Sequence, residues 1–120
     1  MRFQDLLAYK KSSELAMAIF HLSKKLPSEE KYSLTDQIRR SSRSVSANIV
    51  EATRKRKYEK HFISKLTDSD SENSETQVWL EYAFACEYIS IEDFNNLTNL
   101  SFEVGKLLNY MMNNLDKFQQ

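Results

Sequence analysis

An all-α fold, an antiparallel up-down four-helix bundle, is predicted by three observations. Of 120 residues only one is Gly and one is Pro, whereas a β-rich chain needs residues that turn the backbone at every hairpin. Apolar residues recur three and four positions apart in four successive stretches, the repeat of a helix with one buried face. The breaks between those stretches are short, as between antiparallel neighbours in a bundle. A chain of this length is the size of one domain, so residues 1–120 are read as a single bundle around one core.

The first helix is expected from Phe3 to Leu26. Two adjoining stripes run along it, Leu6, Tyr9, Ser13, Met17 and Phe20 beside Ala8, Leu15, Ile19, Leu22 and Leu26. A face that broad fits either deep burial or a second subunit added to the bundle contact. Pro27 stops the helix, because proline disfavours the α conformation at Leu26 and lacks an amide hydrogen. Ser28 to Tyr32 then connects to the second helix.

That second helix, Ser33 to Thr53, has three chemically different faces. Leu34, Ile38, Ser42, Val45, Ile49 and Ala52 share one narrow stripe, and Arg39, Arg40 and Arg43 lie opposite. Between them, Gln37, Ser41, Ser44 and Asn48 place small hydrogen-bonding side chains where a neighbouring helix can approach closely. Ser33 followed by Asp36 has the form of a capping box, which sets the start. Four consecutive like charges, Arg54-Lys55-Arg56-Lys57, are expected to form the next turn.

A third helix is expected from near Tyr58 to near Glu87, with Tyr58, Phe62 and Leu66 on one face. Its middle, Thr67 to Gln77, has no apolar residue in eleven positions and taken alone reads as a loop. The register nevertheless survives through Phe62, Leu66, Ser69, Asn73, Thr76, Leu80 and Phe84. One continuous helix is therefore predicted, its small polar residues facing the line from Gln37 to Asn48. Tyr88-Ile89 makes a link, and Ser90 with Asp93 repeats the capping pattern. In the fourth helix Phe94, Leu97, Ser101, Val104, Leu108, Met111, Leu115 and Phe118 alternate three and four apart, with Gly105 beside that seam allowing a close neighbour.

No run approaches the roughly 18 apolar residues that cross a bilayer, and the start MRFQDLLAYKKSSE is charged where a signal peptide is apolar. A cytoplasmic protein with no membrane partner is expected. The single Cys86, set in YAFACEYI, cannot form an internal disulfide and reads as a small buried apolar residue. The net charge of zero hides a division along the chain. Residues 36 to 65 hold nine Lys or Arg against three acids, whereas residues 66 to 105 hold nine acids and no Lys or Arg.

Catalytic and metal chemistry finds little support. The Glu-x-x-His pairs of two-metal bundles are missing, and His21 and His61 have no Cys or second His at ligand spacing. Asp68, Glu72 and Glu75 share a face, which reads as solvated acid rather than a cation site. Cys86 has no neighbouring base, and no Gly-rich loop could cradle phosphate. Neither a cofactor nor enzymatic activity is expected.

The basic cluster is the strongest functional signal. Arg39, Arg40, Arg43, Arg54, Lys55, Arg56, Lys57 and Lys60 place eight cations within twenty-two residues, with Tyr58 and His61 available for stacking. Such a set neutralises phosphates, and the planar fork of Arg suits them best. Two alternatives stand beside it: a solvated face partly paired with Asp36, Glu51 and Glu59, or docking on the acidic third helix of a neighbouring subunit.

With LTDQIRRSSRSVSANIVEA followed by YEKHFISKLTDSDSENSETQVWLEYAFACEYI, the chain resembles the bacterial four-helix-bundle family of 23S rRNA intervening-sequence proteins. The likeness runs from FQDLLAYKKSSELA to the last helix. It is carried by Leu34-Thr35-Asp36-Gln37, Arg39-Arg40, the Ser-rich turn of helix, and Asn48-Ile49 followed by Glu51. The resemblance implies an up-down four-helix bundle. Members resemble the accessory variability determinant of diversity-generating retroelements, a pentameric ring with a basic surface that binds nucleic acid and contacts a reverse transcriptase. That likeness implies a homopentamer, an RNA or DNA partner and a reverse-transcriptase-like protein partner. One departure is the turn, EATRKRK here, where many relatives have Gly at the positions of Ala52 and Arg54; a stiffer, more basic turn is expected. The functional expectation is a non-enzymatic oligomeric bundle that binds nucleic acid through a basic surface. A self-assembling protein-interaction scaffold with no nucleic-acid role is the alternative.

Overall fold

Helical periodicity in the sequence becomes four helices, α1 (Leu7–Ser23), α2 (Leu34–Arg54), α3 (Glu59–Ala85) and α4 (Ile91–Asn113), in a computed structural model that describes residues 1–120. Short 3₁₀ turns occupy Phe3–Asp5, Ser28–Glu30 and Leu115–Lys117. Each helix packs on its neighbours in sequence and α1 closes against α4, so the bundle has four corners, and α2 with α3 form its most extensive pair. Leu15 and Ile19 of α1, Ile38, Val45 and Ile49 of α2, Phe62, Leu66 and Leu80 of α3, and Val104 and Leu108 of α4 are all buried in one core. Each such side chain contributes roughly 1.5–3 kcal/mol.

α1 is shorter and narrower than its apolar pattern suggests. Leu6 is extended, which separates the Phe3–Asp5 turn from the helix. The helix ends at Ser23, three residues before the constraint that Pro27 places on Leu26. Only Ala8, Ser12, Leu15, Ile19 and Ser23 form its buried line. Met17 is exposed, and Phe20, half-buried, lies outside the core at the edge of the α2 contact.

The capping box expected at Ser33 is replaced by another device. Ser33 is the residue before α2, but its backbone (φ −126°, ψ −100°) is not the extended conformation that aims a hydroxyl at the first turn. Instead Ser33 Oγ donates to Glu30 Oε1 at 2.5 Å, and the same oxygen accepts from Leu34 N at 3.4 Å. The second oxygen of Glu30 accepts from the Tyr88 hydroxyl at 2.9 Å, tying the start of α2 to the link after α3. Hydrogen bonds from Ser33, then Tyr88, hold the Glu30 carboxyl below its ordinary 4.5, and Glu30 pushes the Tyr88 phenol up to about 12. A carboxyl with a depressed pKa stabilises above its ordinary value and loses that contribution as pH falls. A phenol with a raised pKa stabilises below 10.0 and loses it as pH rises through about 12. Tyr88→Phe is therefore expected to melt below the parent between pH 4.5 and 10.0, with the gap closing as pH falls below 4.5; melting curves on both sides of that limit check it. At Ser90 the capping pattern holds, its Oγ accepting from Asp93 N at 3.0 Å.

The polar stretch from Thr67 to Gln77 is helical throughout, in the middle of α3. Ser69, Asn73 and Thr76 are buried because two neighbours satisfy them. Toward α2, Ser69 Oγ donates to Val45 O at 2.8 Å and Thr76 Oγ1 to Ser41 Oγ at 2.9 Å. Toward α4, Asn73 Nδ2 donates to Ser101 O at 2.9 Å, Ser101 Oγ returns a bond to Asn73 Oδ1 at 2.8 Å, and Gln77 Nε2 donates to Ser101 Oγ. Of the expected facing line on α2, only Ser41 is fully buried. Ser44 and Asn48 are half-buried, and Asn48 Nδ2 bonds back to Ser44 O of its own helix. Polar satisfaction at a buried centre thus involves three helices.

Gly105 lies beside this network, yet a Cβ there would first meet Asn73 Nδ2 at 3.4 Å, an ordinary contact. Gly105→Ala is expected to raise stability by up to about 1 kcal/mol through helix propensity, measurable by urea denaturation. The two ends of α3 depart from expectation in three places. Tyr58 is exposed rather than on the Phe62–Leu66 face, since it precedes the helix. The buried line steps by three from Leu80 to Ala83, leaving Phe84 partly exposed with its ring edge-on to Phe94 at 4.9 Å. Cys86, read as buried, is exposed. Cys86, bonded through its N to Tyr82 O, continues the exposed line of Val78 and Tyr82, and the helix closes after it, with Glu87 at φ 62° and bonds from Tyr88 N to Ala83 O and Glu87 N to Phe84 O.

Candidate nucleic-acid interface

The candidate cations fall into two groups, one in the first half of α2 and one at and beyond its end, with Arg40 and Arg56 engaged within the chain. Arg39 and Arg43, one turn apart, both reach across to α1, where Phe20 supplies the surface on which they rest. The guanidinium carbons lie 5.1 and 5.8 Å from the Phe20 ring centre, and Lys24 Nζ, one turn after Phe20, lies 4.6 Å from it. Arg39 Nε also donates to Ser23 Oγ at 2.7 Å. Each exposed cation over a ring gains about 0.5–1 kcal/mol. None of the three forms an ion pair. Their mutual repulsion therefore makes the cluster a place where an anion is stabilised.

Beside this cluster a concavity of about 490 Å³ is lined by Lys31, Tyr32, Thr35, Asp36, Arg39, Arg40 and Arg43. Tyr32 is 85% exposed, with Lys31 Nζ 5.3 Å from its ring centre. Lys24, Lys31, Tyr32 and Phe20 are not among the candidate binding residues that the sequence offers. The available signal is the spacing Phe20–Lys24, four apart, with Phe20 on the outer of the two apolar stripes of α1.

At the other end, Arg54, Lys55, Lys57 and Lys60 are exposed and make no ion pair. Arg56 folds back, donating from Nη1 to Thr53 O at 2.8 Å and from Nε to Gln120 O at 3.3 Å. It thereby satisfies a carbonyl at the end of α2. A smaller concavity of about 260 Å³ is lined by Lys55, Tyr58 and His61, and the Tyr58 and His61 rings meet edge-on at 6.2 Å. The turn needs no glycine: Ala52 is buried inside α2, Arg54 is its last helical residue, and neither has a positive φ. Eleven residues separate Arg43 from Arg54, about 16 Å of helix rise, so the two groups are separate clusters.

Arg40 belongs to neither. Its Nη1 donates to Glu72 Oε2 at 2.9 Å, Nη2 to Glu75, and Nε to Gln37 Oε1 at 3.0 Å. Desolvation alone lowers its pKa, but the Glu72 bond and the charges of Glu72 and Glu75 outweigh that and raise it. Arg40 is thus a clamp between α2 and α3. Lys65 likewise holds Glu51 at 2.6 Å and Asp68 at 3.7 Å. The acids of α3 that could have received a neighbouring subunit's basic face are in part neutralised within the chain. Of the expected acid partners, only Glu51 takes part in an ion pair, and with Lys65 rather than with the cluster.

A second feature lies where α2 begins and α3 ends. Leu34, Val78, Trp79, Tyr82 and Cys86 line a largely apolar groove of about 470 Å³, with Val78 and Tyr82 exposed. No helix is long and apolar enough to cross a membrane.

Comparison with known proteins adds two findings. The sequence pattern of the family described as 23S rRNA-intervening sequence protein matches residues 4–110. A crystal structure from Bacteroides thetaiotaomicron, a protein of unknown function from the S23 ribosomal protein family, superposes with a TM-score of 0.80 at 37% identity, covering 88% of this chain and 98% of that one. No curated protein matches.

Proposed function

The chain belongs to the 23S rRNA-intervening sequence protein family, and on that premise we propose that it is a non-enzymatic, homo-oligomeric bundle that binds nucleic acid through the unpaired cations at the two ends of α2. The observation that carries the proposal is the gathering of Lys24, Arg39 and Arg43 on Phe20 with no carboxylate within ion-pair distance of any of them. Other charges of α2 and α3 have found partners, Arg40 with Glu72 and Glu75, and Lys65 with Glu51 and Asp68. Lys24, Arg39 and Arg43 stay outside those pairs, and as a cluster of cations they suit phosphate. Arg54, Lys55, Lys57 and Lys60 extend the surface, while Arg40 and Arg56 position backbone and helices rather than ligand.

Fluorescence anisotropy of a labelled 20-nucleotide RNA, titrated at several salt concentrations, tests this. Log affinity is expected to fall linearly with log salt at a slope of about −3, corresponding to four or five neutralised phosphates at roughly 0.7 each. No binding at low salt would overturn it. Subunit assembly, a pentamer by the family resemblance, is part of the same proposal, as is a reverse-transcriptase-like protein partner. The groove at Val78, Trp79 and Tyr82 favours a second reading, a scaffold that only assembles. An oligomer by light scattering together with absent RNA binding supports that reading instead.

A further inference from the structure

Resting on the nucleic-acid reading and deepening it, we infer that the ligand is a single strand, one base of which stacks on Tyr32 while its flanking phosphates meet Arg39 and Arg43. Tyr32 is the most exposed large hydrophobic side chain of the protein at 85%, and the ammonium of Lys31 lies 5.3 Å from its ring centre. An aromatic ring left in water gains nothing for folding. Tyr32 stands in the concavity that also holds Lys31, Arg39 and Arg43, where Asp36 is the one carboxylate. A flat open ring among cations offers a base plane and a backbone charge together, which is how single strands are held. A duplex presents its phosphates outward and keeps its bases stacked on each other, so it could use the cations and would leave the ring idle.

The same juxtaposition recurs beyond the other end of α2, where Tyr58, 67% exposed, shares a concavity with Lys55 and His61. Tyr32 precedes and Tyr58 follows a helix of 21 residues, about 30 Å long. Two aromatic-and-cation stations on one rod suit a strand laid along it.

The test uses the full chain, a 20-nucleotide unstructured RNA and a duplex of the same length, with Tyr32→Ala, Tyr32→Phe and Arg39→Ala. Because Tyr32 packs on no core residue, its variants retain the helical circular dichroism of the parent. The single strand is expected to bind at least tenfold more tightly than the duplex. Tyr32→Ala should lose about tenfold on the strand and nothing on the duplex, Tyr32→Phe should retain parental affinity, and neither should change the salt slope. Arg39→Ala should weaken both ligands and reduce the slope by about one. Equal binding of strand and duplex, or an unchanged affinity in Tyr32→Ala while Arg39→Ala still loses affinity, overturns the stacking inference and leaves phosphate binding standing. Binding of neither ligand overturns both.

Discussion

Replacing Arg39 and Arg43 together with Ala is expected to weaken RNA binding by ten- to a hundredfold near physiological salt and to reduce the magnitude of the salt slope by roughly 1.5 to 2. Both side chains are held ready by α1: the Phe20 ring supports them and Ser23 fixes Arg39. Neither takes part in an ion pair, so their removal costs the fold only their contacts with Phe20 and Ser23, about 1–2 kcal/mol. Arg40→Ala is the informative control, because it removes the same charge from the same turn of the same helix. Its guanidinium lies against Glu72 and Glu75, which are left facing each other when it is removed. That variant should lose about 0.5–1 kcal/mol of stability, the worth of a partly exposed pair, while its salt slope stays near the parent's. Equal effects of Arg40→Ala and Arg39→Ala on the slope would mean that the cations act as an undifferentiated charge.

Ser41→Leu is expected to destabilise the bundle by about 3 kcal/mol, combining overpacking with loss of a buried hydrogen bond. Ser41 is fully buried where α2 meets α3, and its hydroxyl accepts from Thr76 Oγ1 at 2.9 Å. With total stability typically about 5–15 kcal/mol, such a loss is a large share. Ser44→Leu changes the same residue type one turn along the same polar line, but Ser44 is half-buried and only its carbonyl is engaged, by Asn48. That variant should stay within about 1 kcal/mol of the parent. Urea denaturation of the pair decides whether the close contact is centred on Ser41.

Legibility in the sequence depends on which forces act locally. The helical register of Ser69, Asn73 and Thr76 is readable because a three-and-four rhythm persists even when the residues in it are small and polar. Which neighbour each one faces is not, since Asn73 reaches Ser101 across 28 positions of sequence. A local rule assigns the cap of α2 to Ser33 and Asp36, but tertiary contact with Tyr88 anchors Glu30 there instead. The apolar neighbours of Cys86 suggest burial, but it stands one turn after the exposed Tyr82 and off the buried line of Leu80 and Ala83. The basic candidates are visible as composition. Their sorting into Arg39 and Arg43 on Phe20, Arg40 on Glu72 and Glu75, and Arg56 on Thr53 depends on helix packing that charge counting does not contain.

Arginine footprinting with phenylglyoxal, read residue by residue by mass spectrometry with and without bound RNA, addresses the central claim directly. Arg39, Arg43 and Arg54 should react readily in the free protein and be protected by RNA, while Arg40, held by two carboxylates, reacts slowly in both states. Arg39 and Arg43 modified at the same rate with and without saturating RNA would contradict the proposal that these cations are the surface on which phosphate binds.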